Sequence, residues 1–223
     1  MKEEFALLKK KLQSYRNDKH AAGMSAYMRN QFLYFGIHSP KRKEIQTEFF
    51  VPKLVTEASQ IKEFISLCWA EDEREWKYVA LDFGKKYLKK DMENLILYFE
   101  SLVTDQSWWD TVDCLAANLL GKLLIEKPQL RSKKQREWIE SDNFWIQRTA
   151  IILQLMYKEK TDFEILKELI LRRAGSKEFF IQKAIGWALR QYSKTNSKAV
   201  MNFVNKNTLA PLSRKEALRL IVK

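Results

Sequence analysis

The stretch Ser107–Asp113 reads S-W-W-D-T-V-D. Ser107 fits the N-cap of a helix, and Asp110 completes a capping-box pattern that gives it a structural role. Asp113 has no such role: it lies past the first turn, where the field of the helix end has faded. It follows Trp109 at a spacing that puts both side chains on one helix face. Trp108, Val112, Leu115, Leu119 and Leu123 form the apolar stripe of this helix, and Trp109 and Asp113 fall to one side of it. A lone Trp on such a shoulder packs more often than it acts. A carboxylate beside it, in a strongly basic chain, points to chemistry on a cationic group carried by an anionic polymer.

A second helix, near 177–193, places Ile181, Ala184, Ile185, Ala188 and Tyr192 on its core stripe. Trp187 lies on roughly the opposite side, framed by Lys183 and Arg190. Such an indole either stacks on a nucleotide or sugar, or packs on a neighbouring helix while the cations snorkel past it. Arg148 shares a face with Phe144, Ile151 and Leu155. A guanidinium in an apolar stripe must be paired or must reach a ligand. Asp113 and a phosphate both qualify, and the sequence leaves the choice open. The clusters Lys41-Arg42-Lys43, Arg131/Lys133/Lys134/Arg136, Arg172-Arg173 and Arg214-Lys215 read singly as solvated faces. Several follow a helix start, and helix N-termini along one face would suit a phosphate backbone. Arg42, Lys43 and Arg214 are the phosphate candidates from this group.

Forty Lys and Arg against 28 Asp and Glu leave a net charge of +12. A folded surface with that excess attracts polyanions, nucleic acid first and anionic membrane second. His20 and His38 are the only histidines, which speaks against a metal centre and against Ser-His or Cys-His catalysis. Gly-rich phosphate loops are absent, and no cofactor is expected. Lysine Schiff-base chemistry stays open, because lysine is abundant. Cys68 and Cys114 read as buried free thiols in a reducing cytoplasm. Met1 leads into the charged K-E-E, unlike a secretory leader, and no apolar run approaches the ~20 residues of a membrane span.

The 223 residues, 46% hydrophobic and 30% charged, are expected to form one domain, 1–223, with no linker dividing it. Six glycines and four prolines are few, and apolar residues recur at three and four. The reading is all-α, with about twelve helices. The helices are placed near 3–15, 19–33, 40–50, 59–70, 72–89, 92–104, 108–125, 129–140, 143–158, 162–174, 177–193, 196–206 and 213–222. Start signals are Ser39-Pro40, Asp72 with Glu75, Asp91, Ser107 with Asp110, Thr161 with Glu164, Ser176, and Ser213 with Glu216. A helix pair occupies roughly 35 to 40 residues, the period of HEAT-type units. The expected architecture is therefore an α-solenoid with a basic concave face, and a compact helical bundle is the alternative.

At these residues the chain resembles the DNA alkylation repair glycosylases of the AlkD type, which are built from HEAT-like repeats. The matching segments are Y-M-R-N-Q-F-L-Y-F-G-I (27–37), S-W-W-D-T-V-D (107–113), S-D-N-F-W-I-Q-R-T-A-I (141–151), S-K-E-F-F-I-Q-K-A-I-G-W-A-L-R (176–190) and L-A-P-L-S-R-K-E-A (209–217). The resemblance implies excision of N3- or N7-alkylated purines, such as 3-methyladenine and 7-methylguanine, from duplex DNA. It puts the catalytic acid on Asp113, the cleft tryptophans on Trp109 and Trp187, the family's arginine on Arg148 and a bordering aromatic on Tyr27. The expected DNA contacts are Arg148, which would clamp backbone phosphates, with Tyr27, Lys183, Arg190, Arg42, Lys43 and Arg214. A monomer is expected, since no self-association motif is visible. Two other readings compete: a non-catalytic HEAT-like protein that binds damaged or branched DNA, and a protein-interaction scaffold.

Overall fold

A computed structural model describes residues 1–51 and 54–221, and all regular elements among them are helical. One isolated parallel bridge joins Leu33 to Glu73. The chain divides into two compact units, Met1–Leu88 and Lys89–Lys223.

The first unit contains α1 (Lys2–Gln13), α2 (Asp18–Tyr27), α3 (Ser39–Phe49), α4 (Ala58–Trp69) and α5 (Arg74–Tyr87). Leu8 and Leu12, Ile61 and Phe64, and Trp76 and Phe83 are buried at helical spacing on α1, α4 and α5. Phe64 and Phe83 stack with ring centroids 4.0 Å apart. α2 stops at Tyr27 rather than near 33, because Arg29 and Asn30 turn left-handed at φ 57 and 56. The following segment is captured by Glu75. Its buried carboxylate accepts the backbone N–H groups of Phe35 (3.0 Å), Gly36 (2.9 Å) and Ile37 (3.1 Å). The expected pairing of Glu75 with Asp72 at a helix start is thereby corrected: α5 begins at Arg74 and Glu75 serves the loop. Gly36 sits at φ 84, and a Cβ there would lie 2.1 Å from the Asn17 carbonyl oxygen, so only glycine fits.

Arg42 is not a surface group. Its Nη1 donates to Gln46 Oε1 and Asp82 Oδ2, both at 2.7 Å, and its side chain is 6% exposed. The guanidinium lies over the Tyr78 ring. A cation this enclosed requires its internal partners, so the expectation of a phosphate contact at Arg42 is withdrawn. Lys43 is exposed, as is Tyr27 at 75%. Cys68 is buried as expected, and burial raises its thiol pKa well above the usual value; Cys114, in the second unit, is only half-buried.

The second unit contains α6 (Ile96–Val103), α7 (Trp109–Cys114), α8 (Gly121–Leu124), α9 (Pro128–Ile139), α10 (Phe144–Ile152), α11 (Phe163–Arg173), α12 (Phe179–Tyr192), α13 (Ser197–Lys206) and α14 (Pro211–Leu218). A π-helical segment, Leu115–Leu120, joins α7 to α8. Leu115, Leu119 and Leu123 recur every fourth residue, and all three are buried. A period of four overshoots the 3.6 residues of an α-helical turn. The wider π turn absorbs that drift and keeps the three leucines on the core side.

Side chains in this unit reach one helix pair forward or back. Lys134 Nζ donates to Glu100 at 3.1 Å, 34 residues away, and Arg136 Nη2 to Glu168 at 2.8 Å, 32 residues away. Lys127 pairs with Glu93 and Arg172 with Glu140 at separations of 34 and 32 residues. Much of the two basic clusters in 131–136 and 172–173 is therefore engaged between helix pairs rather than forming free solvated faces. A repeated start motif accompanies this spacing. In S-D-N-F-W-I-Q and S-K-E-F-F-I-Q, Asn143 accepts from Trp145 N and Glu178 accepts from Phe180 N. Gln147 Nε2 and Gln182 Nε2 donate back to the carbonyls of Ser141 and Ser176. The caps are thus Asn143 and Glu178, not Ser176, and Asp162 rather than Thr161 caps α11.

Candidate active site

Trp108 adopts an extended backbone (φ −156, ψ 161), and α7 starts at Trp109. Ser107 does not cap this helix. Its hydroxyl donates to the Val103 carbonyl oxygen at 2.6 Å, which holds the preceding turn instead. Asp110 remains in the first turn and Asp113 in the second, so the two indoles and the two acids keep the order expected of them. Trp108 is half-buried in an aromatic cluster, 5.3 Å from Phe180 and 5.8 Å from Trp145 between ring centroids. Phe180 also lies 4.8 Å from Trp145.

Trp109, Asp113, Arg148, Phe179, Phe180, Lys183, Trp187, Arg190 and Glu216 line one cavity of about 360 Å³. The groups singled out on three separate helices thus meet. Trp109 and Trp187 are both half-buried. Arg148 holds Asp113 by two bonds, Nε to Oδ1 at 2.7 Å and Nη2 to Oδ2 at 2.8 Å. Its Nη1 donates to the Phe180 carbonyl oxygen at 2.6 Å. The Arg148 side chain is 5% exposed and that of Asp113 is 17% exposed. Of the two partners left open by the sequence, the carboxylate is the one engaged, and Arg148 orients Asp113 from behind. This fork geometry is specific to arginine. Burial pushes the Asp113 carboxyl above the usual aspartate range; Arg148 pulls it back by hydrogen bond and charge, and Asp110 adds to the rise.

Lys183 and Arg190 both bind Glu216, which α14 brings into the cavity. Ser213 does not start that helix. α14 begins at Pro211, and the buried Ser213 hydroxyl donates to the Gln182 carbonyl oxygen at 2.9 Å. Arg214 is exposed, but its guanidinium donates to the Val204 carbonyl at 2.7 Å and to Asn205 at 3.0 Å, closing the end of α13. Phe179, Phe180 and Glu216 escaped the reading of the sequence. The sequence pattern places Glu216 in a capping box with Ser213, although its separation from Lys183 matches the helix-pair period. The two histidines lie against each other in the first unit, their ring centroids 4.6 Å apart and their planes tilted by 51°. No three His, Cys, Asp or Glu side chains among the described residues gather as metal ligands. No described helix is long and apolar enough to cross a membrane.

The sequence model of a family described as "DNA alkylation repair enzyme" matches residues 8–221. Among solved structures, one titled "Predicted DNA alkylation repair enzyme from Enterococcus faecalis" is similar to this chain. It has 33% sequence identity and a TM-score of 0.76, covering 93% of this chain and 97% of its own. No curated protein matches the chain.

Proposed function

Since the chain belongs to the DNA alkylation repair enzyme family, we propose that it is a monofunctional DNA glycosylase acting on cationic N3- or N7-alkylated purines, such as 3-methyladenine and 7-methylguanine, in duplex DNA. The observation that carries this reading is the carboxylate of Asp113, fixed by Arg148 in a cavity it shares with Trp109 and Trp187.

Alkylation at N3 or N7 gives the purine a positive charge, so the base leaves neutral and needs no acid to protonate it. One carboxylate then suffices, where ordinary glycosidases use two. As the N-glycosidic bond breaks, positive charge moves to the deoxyribose as an oxocarbenium ion. Asp113 stabilises that ion and orients or deprotonates the attacking water. A carboxylate offers about four acceptor sites, and Arg148 takes two of them. Trp109 and Trp187 present their rings to the developing charge. Arg148 serves as the support of Asp113. Phosphate contacts fall to exposed basic groups such as Lys43, with Tyr27 as a further DNA contact. Lys183 lines the same cavity, where its Nζ is held by Glu216, and borohydride trapping tests it as a Schiff-base nucleophile.

The deciding experiment incubates methylated duplex DNA with the protein and measures free 7-methylguanine. Release of free base, with no adduct trapped by borohydride, supports the reading. Lesion binding without release would support the non-catalytic alternative.

A further inference from the structure

The cavity that holds Asp113 contains a second carboxylate, Glu216. Lys183 Nζ donates to its Oε1 at 2.8 Å, and Arg190 Nη1 donates to its Oε2. These two cations lie on the Trp187 face of α12, about one turn before and one turn after the indole. The Glu216 side chain is 14% exposed. The hydrogen bond from Lys183, with the charges of Lys183, Arg190 and Arg219, holds its carboxyl below the usual glutamate range despite burial. Gly186 makes this approach possible. A Cβ there would lie 2.5 Å from Glu216 Cβ and 2.9 Å from the Ser213 carbonyl oxygen.

Asp113 and Arg148 cancel within their own pair. Lys183 and Arg190 add two positive charges, and Glu216 removes one of them. On the glycosylase reading, which this inference rests on, the alkylated base is cationic and the departing sugar becomes so. Two uncompensated cations beside Trp187 repel both, whereas the same two cations attract backbone phosphates. The carboxylate therefore has opposite effects on binding and on bond cleavage. We propose that Glu216 is a positioning residue for base excision, which pins and partly neutralises Lys183 and Arg190 so that the Trp187 side of the cavity tolerates a cationic transition state.

The test compares Glu216→Gln with the unaltered protein in single-turnover release of 7-methylguanine and in equilibrium binding to the undamaged duplex. Release is expected to fall at least tenfold, the factor set by one unit charge about 12 Å away at an effective dielectric near 20, and by more if the charge acts over a shorter distance. Affinity for DNA is expected to rise. Adding Lys183→Met to Glu216→Gln restores the net charge, and with it most of the lost release. Unchanged release in Glu216→Gln overturns the proposal. So does a joint loss of release and affinity that the second substitution leaves in place, which assigns Glu216 to bracing α14 alone. Failure of the unaltered protein to release base overturns the glycosylase reading as well, which separates the two cases.

Discussion

Arg148 links three successive helix pairs through one side chain: it grips Asp113, 35 residues back, by two bonds, and the Phe180 carbonyl, 32 residues ahead, by a third. The same forward and backward spacing joins Arg136 to Glu168 and Lys183 to Glu216. Asp113 is therefore held by the same device that ties successive helix pairs together, with a buried guanidinium in place of an exposed one. A carboxylate fixed in this way needs no reorganisation when positive charge develops beside it.

Replacing Asp113 by Asn keeps the shape of the side chain and removes its charge. Base release from 7-methylguanine DNA is expected to fall by roughly 10²–10³, the usual loss when one preorganised electrostatic stabiliser is removed. Affinity for the same DNA should hold or increase, since a negative charge near the phosphates is lost. Single-turnover release and equilibrium binding measure the two quantities. Equal release rates for variant and parent would dismiss Asp113 as the acting acid.

Burial raises the pKa of the Asp113 carboxyl, and Arg148 opposes that rise by hydrogen bond and charge. In the proposed mechanism the ionised form of Asp113 is the active one, so excision is expected to rise as pH passes upward through its pKa. Arg148→Gln removes the opposing charge and raises that pKa further. The acid limb of kcat/KM should then move to higher pH and recover only in more alkaline buffer. Breaking a buried pair by deleting one partner also destabilises the fold, by about 3 kcal/mol. Arg148→Lys should recover part of the pH shift while losing the two-pronged geometry. A limb that stays in place in Arg148→Gln would separate Arg148 from the titration of Asp113.

The helices were legible because their apolar residues recur at helical spacing, and Trp109, Asp113 and Trp187 stood out because they depart from it. Helix starts were less legible. Ser107 and Ser213 are ordinary capping residues, yet the Ser107 hydroxyl turns back to the Val103 carbonyl one turn earlier, and the Ser213 hydroxyl donates to the Gln182 carbonyl, which only the folded chain brings near. The basic residues misled for a related reason. Composition counts charge but does not say which cation finds a carboxylate one helix pair away, so Arg42 looked like a phosphate contact although Asp82 and Gln46 enclose it. The Phe180 carbonyl left no trace in the sequence, since any residue would supply one. Glu216 did leave one, through its spacing from Lys183.

Gly186 sets the distance between α12 and α14. The Cβ of Gly186→Ala would meet Glu216 Cβ at 2.5 Å and the Ser213 carbonyl at 2.9 Å, and a backbone oxygen yields little. Overpacking of this kind costs about 1–3 kcal/mol. The melting temperature should drop, and release of 7-methylguanine should fall with it, because α12 carries Trp187 and α14 carries Glu216. Thermal melting and excision at a temperature where the variant is fully folded distinguish the two effects. An unchanged melting temperature would show that α14 shifts freely and does not brace the site.

Selectivity follows from the absence of a required acid in the proposed mechanism. The cavity offers Asp113 as a base or counter-charge, while Arg148 and Lys183 are already engaged as hydrogen-bond donors. A cationic purine leaves as a neutral molecule without help, but uracil departs as an anion unless a donor meets it. Uracil-containing duplexes should therefore bind with ordinary affinity and release base at a rate near background, while methylated duplexes of the same sequence are processed. Moving the methylated substrate to higher pH should not slow release until the protein itself is affected, since no protonated catalyst is consumed in the step. Release of uracil at a rate comparable to 7-methylguanine would require a proton donor in the cavity and would reverse the role given to Asp113.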